Sequence, residues 1–217
     1  MSKKPVIVFE GVEGSGKSYH ISSVSKYLSK KKIDHIKIRE PGGTLNAEKI
    51  RKLILNNKSS FNKDTDLLLY LAARSENINL LKKFFRKKVI LIDRFIDSTI
   101  AYQHYGLGVD IKLISTINNY LLKNLKIDFT FLNIVNKNNM IKRLKLRKSL
   151  NRYDKFNNSF YQKVQKGFLY LAKKKKNNYQ IINSNLDINQ NRSLIIEKIN
   201  KLIWITCNQL TKQNYLV

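Results

Sequence analysis

Cysteine is almost absent. Cys207 is the only one in 217 residues, which excludes an internal disulfide and a thiolate metal cluster and fits a reducing compartment. A lone thiol at that place reads as inert. With two prolines and eight glycines there is no Pro/Gly-rich linker, and no internal repeat is visible. One domain over residues 1–217 is expected, large enough to bury a substantial core. No stretch reaches the roughly 18 apolar residues of a membrane span. The start, MSKKPVIVFEG, runs from a short apolar stretch straight into Glu10 without a signal-peptide cleavage region. A cytoplasmic protein with no membrane partner is the expectation.

Acid is scarce as well: 15 Asp and Glu stand against 42 Lys and Arg, for a net charge of +27. So basic a chain is an electrostatic candidate for nucleic-acid binding. Its lysines, however, spread over every segment (Lys30 to Lys32, Lys82-Lys83, Lys87-Lys88, Lys173 to Lys176) instead of clustering with aromatics on one element. Lysine also outnumbers arginine and is joined by abundant asparagine and isoleucine, a mixture that an AT-biased coding sequence produces. No specific nucleic-acid partner is expected, only weak, salt-sensitive affinity for polyanions.

Glycine, though scarce, is gathered. Three of the eight lie in Val6 to Ser18, VIVFEGVEGSGKS, and four more in the pairs Gly42-Gly43 and Gly106/Gly108. Glycine enters backbone regions closed to other residues and lets a ligand approach the main chain, so these clusters mark loops with a geometric task. Gly11, Val12, Glu13, Gly14, Ser15, Gly16, Lys17 and Ser18 fit G-x-x-x-x-G-K-[ST], with a strand pattern before and a helical pattern after, as that motif requires. In that setting the loop amides and the helix N-terminus face phosphate oxygens, Lys17 reaches the β- and γ-phosphates, and the Ser18 hydroxyl meets Mg²⁺. ATP with Mg²⁺ is the implied ligand.

Short apolar runs alternate with helical stretches, the pattern of parallel strands joined by crossover helices. The strands predicted are Val6 to Phe9, His35 to Arg39, Val89 to Ile92, Phe129 to Ile134 and Tyr179 to Ile182. Ala47 to Leu55, Thr65 to Phe85 and Asp110 to Leu125 carry apolar residues at helical spacing. The fold class is therefore α/β, a sheet covered on both faces. Asp93 follows an apolar run and would end a strand on the ligand side of such a sheet, where it suits Mg²⁺ held through water; the competing reading is a cap on the next helix. Arg94 beside it suits a second phosphate, which a guanidinium grips bidentately.

FEGVEGSGKS, IREPGGT (Ile38 to Thr44), LLLYLAAR (Leu67 to Arg74) and DRFIDSTIAYQ (Asp93 to Gln103) together, in this order and spacing, resemble the bacterial thymidylate kinases from about Val6 to Trp204. The resemblance implies a P-loop kinase fold with a five-stranded parallel sheet, phosphorylation of dTMP to dTDP by ATP with Mg²⁺, and a homodimer. Carried over by position, it implies that Arg39 and Arg94 hold the dTMP phosphate, Tyr70 stacks on thymine and Arg74 bonds a base oxygen. Ser98 and Thr99 then serve the base edge, Tyr102 walls the sugar, Glu13 takes the 3′-hydroxyl, and Gln103 joins the substrate-binding set. Tyr70 and Arg74, at i and i+4, share one helical face and can meet one ring.

Some relatives carry a catalytic arginine in the phosphate loop, where this chain has Gly14 and Ser15. The resemblance then assigns that cation to a short basic lid, about residues 142–156 (KRLKLRKSLNRYDK and its end), with Arg147 and Arg152 as the catalytic candidates beside Lys17 and Arg94, and Arg143 in the same dense patch. Lys145, Asn151 and His104 depart from the family pattern of Arg, Asp and Gly. Two rival functions remain: a deoxynucleoside kinase acting on thymidine, against which Arg39 and Arg94 argue because a free 5′-hydroxyl offers no charge to grip, and a P-loop ATPase stimulated by nucleic acid, favoured by charge alone.

Overall fold

Five strands pair in parallel in the order β2-β3-β1-β4-β5. The computed structural model describes residues 3–147 and 150–208, with side chains up to Trp204; Lys148 and Ser149 of the basic segment, and the Cys207 side chain, lie outside the described ones. The strands are β1 (Val6–Glu10), β2 (His35–Arg39), β3 (Val89–Asp93), β4 (Phe129–Ile134) and β5 (Tyr179–Asn183). The central three are apolar nearly throughout because helices cover both faces. The edge strands HIKIR and YQIIN leave alternate positions open.

The helices are α1 (Lys17–Lys30), α2 (Leu45–Leu55), α3 (Lys63–Phe84), the short α4 (Ile96–Thr99), α5 (Ile111–Leu122), α6 (Lys137–Lys145), α7 (Asn158–Lys174) and α8 (Ile188–Asn208). The chain continues from α4 into a π-helix, Ile100–Gly106, and a 3-10 turn, Arg152–Lys155, precedes α7. The strands and helices expected from the sequence are recovered within a few residues. Within the basic segment, α6 ends at Lys145 and an Asn151-capped 3-10 turn, Arg152–Lys155, packs against α2 and α3.

Strand alternation divides the core. Ile7, Phe9, Val89, Leu91, Phe129 and Phe131 face α1 and α8, with Ile21, Val24, Leu28, Ile195 and Ile199. Val6, Val8, Ile90 and Ile92 face α3 and α5, with Ile78, Leu81 and Leu122. A third cluster, around Tyr102, Tyr153, Phe160, Val164 and Phe168, joins α7 and the 3-10 turn to the π-helix, and thereby closes one side of the site.

Phe131 is fully buried and stacks on Phe9 with ring centroids 5.2 Å apart. Phe131→Ala should cost about 3–5 kcal/mol, read by urea unfolding as a lower midpoint with an unchanged m-value; a midpoint equal to wild type would contradict this packing.

Candidate active site

β1 and β3 are neighbours, with Phe9 opposite Asp93, so the segments leaving both strands emerge side by side. The connections diverge to the two halves of the sheet at this point, where α/β sheets bind ligands. The loop after β1 has Gly11, Gly14 and Gly16 at φ 137°, 69° and 85°, and a Cβ on Gly11 would stand 2.2 Å from the Asn133 carbonyl oxygen. Both the conformation and the space require glycine there.

Helix starts supply the next observation. Thr44, Asn62, Asp110, Asn136 and Asn157 cap α2, α3, α5, α6 and α7 with their side chains, and Asp187 does the same at α8. α1 begins at Gly16 with no side-chain cap. An N-terminus left in this way, with its dipole, favours an anion. Lys17 lies beside it, its Nζ turned back to donate to the Val12 carbonyl at 2.8 Å and to Ser15 Oγ at 3.4 Å. Burial, with Arg94 nearby, brings its pKa down to about 7; a bound phosphate would restore the full charge.

Ser18 Oγ donates to Asp93 Oδ2 at 3.2 Å. A hydroxyl and a carboxylate are hard oxygen donors of the kind Mg²⁺ takes. No group of three or more acidic, His or Cys side chains suited to a metal occurs among the described residues, so the remainder of such a shell would come from phosphate and water. Asp93 caps no helix: α4 starts at Phe95, which has no side-chain cap of its own.

The cap on α4 comes from across the sheet. Glu10, fully buried at the end of β1, accepts from Phe95 N at 2.9 Å and Ser98 N at 3.2 Å through Oε1, and from the Ser98 hydroxyl through Oε2. Burial, together with Asp97, raises it to about 7. This bridge fixes the turn in which Arg94 adopts φ 65°, a costly region for a non-glycine residue. The turn throws the guanidinium back over the phosphate loop, where it donates to the Gly11 carbonyl at 2.9 Å and Glu13 Oε1 at 2.7 Å. Tyr102 donates to the other oxygen of Glu13. Against the penalty of burial, Arg94, Lys17 and Tyr102 hold Glu13 below the usual carboxylate range.

One cavity of about 200 Å³ joins these groups. It is lined by Glu13, Lys17, Ser18, Arg39, Tyr70, Arg74, Asp93, Arg94, Ser98, Thr99, Tyr102 and Gln103, all expected from the sequence, and by Arg51, Arg147, Asn151 and Tyr153 among others. Their present partners differ from the expected ligands. Arg39 forms a bidentate pair with Glu48 (3.0 and 2.9 Å) and is half exposed. Arg74 is buried to 1% exposure and donates to Glu40 at 2.7 Å, Asn118 at 2.7 Å and Thr99 Oγ1 at 3.0 Å. Three of its five N–H groups are thus taken, leaving two for a ligand. Ser98 is likewise held between Glu10 and Arg94.

Arg147 reaches the cavity while pairing with Asp154 at 2.7 Å. Arg152 goes elsewhere: it binds Asp66 of α3 and the Ile54 carbonyl and is not among the lining residues. Asn151, the departure from the expected aspartate, forms a capping box with Asp154, and His104 binds the Val109 carbonyl at 2.8 Å.

Arg51 was not anticipated; it extends from α2 to donate to the Pro41 carbonyl at 2.6 Å. Burial and the like charges of Arg39 and Arg94 lower its pKa. Nothing in AEKIRKLIL separates Arg51 from its charged neighbours; only the docking of α2 does. Glu10 was more accessible to sequence reasoning, as an acid ending an otherwise apolar strand. On the other side of the phosphate loop, Gly16, His20, Arg143, Ser184, Leu186 and Ile188 line a second cavity of about 250 Å³. Arg143 there donates to the Gly14 and Ser184 carbonyls.

The thymidylate kinase family model matches residues 9–195. The chain is similar to the thymidylate kinase of Mycoplasma capricolum, 38% identical over 89% of this chain and 95% of that protein, and to that of Kosmotoga olearia, 30% identical over 88% and 93%. Among solved structures, it resembles the thymidylate kinase of Ehrlichia chaffeensis with a TM-score of 0.73, at 32% identity, covering 91% of this chain and 98% of the other.

Because Glu10 titrates higher in the folded chain than in the unfolded one, its contribution to stability is complete below about pH 4.5 and is lost as pH rises through about 7. Glu10→Gln removes that dependence. Urea unfolding should show the variant gaining stability relative to wild type between pH 5 and pH 8, and a difference independent of pH would contradict a protonated Glu10.

Proposed function

Because the chain belongs to the thymidylate kinase family, we propose that it transfers the γ-phosphoryl group of ATP to the 5′-phosphate of dTMP, giving dTDP and ADP. The observation that carries this reading is one cavity in which Lys17 and Ser18 of the phosphate loop meet Arg39, Arg51 and Arg94, the Tyr70 ring and the Gln103 amide. Arg39, Arg51 and Arg94 take the acceptor phosphate; such a concentration of positive charge suits a dianion and is wasted on the neutral 5′-hydroxyl of thymidine. Tyr70 lies against the base, Arg74 offers its two spare N–H groups to a base oxygen, and the buried Gln103 Oε1, with no partner, accepts from the thymine imide N–H. Thr99 and Ser98 keep Arg74 and Arg94 in place. Tyr102 borders the sugar, and Glu13 accepts from its 3′-hydroxyl.

The uncapped start of α1, Lys17 and the loop amides hold the β- and γ-phosphates, and the second cavity beyond the loop takes the donor nucleoside. Ser18 and Asp93 would hold Mg²⁺, which when bound would supply charge neutralisation on the phosphates. Arg147, already at the cavity, is the lid cation for the transferred group, while Arg152 anchors the lid to α3. A dimer belongs to the same reading, supported by the exposed Leu68, Leu113 and Tyr120 on the adjoining α3 and α5. No described helix is long and apolar enough to cross a membrane.

Lys17→Ala should lower kcat by about 10² to 10³, since oriented charge carries most of phosphoryl-transfer catalysis. Arg51→Ala should raise the KM for dTMP at least about tenfold through loss of a charge-assisted contact, with the KM for ATP little changed. Steady-state ADP release on variants with wild-type circular dichroism measures both. Full activity in Lys17→Ala would sink the phosphate-loop assignment, and an unmoved dTMP KM in Arg51→Ala would remove that residue from the acceptor site.

A further inference from the structure

Asp66 lies in the first turn of α3, 1% exposed, and beyond anchoring Arg152 it has no role in the reading above. Its carboxylate accepts from three donors on two other elements: Arg152 Nη2 and the Tyr153 hydroxyl from the 3-10 turn of the lid, and Gln103 Nε2 from the π-helix at 3.2 Å. Gln103 Nε2 also lies 3.2 Å from the Tyr153 oxygen. Since Tyr153 gives its proton to Asp66, that oxygen can only accept from Gln103. Both neighbours of the amide nitrogen are therefore acceptors. Reversing the amide would press its carbonyl oxygen against a buried carboxylate and a phenol oxygen, which a low-dielectric interior penalises strongly.

The consequence is directional. With Nε2 committed, Gln103 Oε1 remains buried without a partner, and Gln103 lines the cavity. We propose that Asp66 and Tyr153 are positioning residues which lock the Gln103 amide with its acceptor toward the nucleobase, so that docking of the lid and selection of a base bearing an imide N–H are one event. A cytosine ring, whose N3 is an acceptor, meets an oxygen at that point and is rejected; a site built to satisfy a hydrogen bond discriminates well against a partner that leaves it unpaired. Tyr153 also sets its ring edge-on to Tyr70, with centroids 5.9 Å apart, and Tyr70 follows Asp66 by one helical turn. The lid residue thus touches both groups that face the base. By linkage, base binding and lid docking strengthen each other equally.

This inference rests on the dTMP kinase reading. Tyr153→Phe is the test, because it keeps the ring and the packing and removes only the hydroxyl. It should raise the KM for dTMP and narrow the dTMP to dCMP ratio of kcat/KM, each by about five- to tenfold, the scale of one misdirected buried hydrogen bond, with the KM for ATP within about twofold. In a Gln103→Leu background, where no amide is left to orient, Tyr153→Phe should change neither quantity further. That non-additivity is a readout which a merely structural role for Tyr153 would not give. Unchanged dTMP KM and dCMP rejection in Tyr153→Phe, or effects that add in the double variant, would overturn the proposal. If Tyr153→Phe melts below the assay temperature, Asp66→Asn, which leaves the hydroxyl and removes the charge, undergoes the same two comparisons with the same outcomes. Wild-type preference for dCMP would instead overturn the functional reading itself, so the two failures are separable.

Discussion

The pairing of Phe9 with Asp93 in adjacent parallel strands is the constraint on which the rest of the site depends. It brings together a loop that must be built from glycine and a turn that must hold an arginine at positive φ. Arg94 N donates to the Phe9 carbonyl at 3.0 Å, Glu10 caps the turn that follows, and Arg94 reaches back to Gly11 and Glu13. Each bond crosses between the two strand ends. Shifting the register by one residue would turn every side chain of one strand to the opposite face and separate Ser18 from Asp93 at the same time.

Positive charge is concentrated on both sides of the phosphate loop. Arg39, Arg51 and Arg94 line one cavity together with Lys17, the uncapped start of α1 adjoins it, and Arg143 lines the second cavity beyond the loop. In a chain of net charge +27 these cations would be unremarkable by number. What separates them is convergence on the two cavities, and for Lys17 and Arg51 also burial, which lowers both in pKa. Three acids near the site serve geometry: Glu10 holds a turn, Glu40 holds Arg74, and Asp66 ties the 3-10 turn to α3.

What could be read from the sequence follows from range. The strands and the phosphate loop are written in neighbouring residues, in apolar runs and glycine spacing, and they agree with the structure. Asp93 and Arg94 were legible because a strand end is a local event. Arg51 and Asp66 act through contacts made by helix docking, a phase that a single sequence does not encode visibly, and Glu10, though marked as an acid ending an apolar strand, finds its partners only across the sheet. The lid shows the difference most clearly: Arg147 and Arg152 look equivalent in KRLKLRKSLNRYDK, yet a capped 3-10 turn directs one to the cavity and the other to Asp66. Arg74, expected simply to face the base, turns out to have most of its donors committed inside the protein, which makes it a rigid donor at the wall of the cavity.

The central claim is that three converging guanidiniums make a phosphate, not a hydroxyl, the group to be phosphorylated. The most direct measurement is the initial rate of ADP release with Mg²⁺-ATP and a matched panel of acceptors: dTMP, dUMP, dCMP, dAMP and thymidine. The account predicts that dTMP is the best acceptor, that dUMP follows within the roughly 10- to 200-fold that a single methyl allows, and that thymidine gives no rate above background. Turnover of thymidine at a rate comparable to dTMP would contradict it.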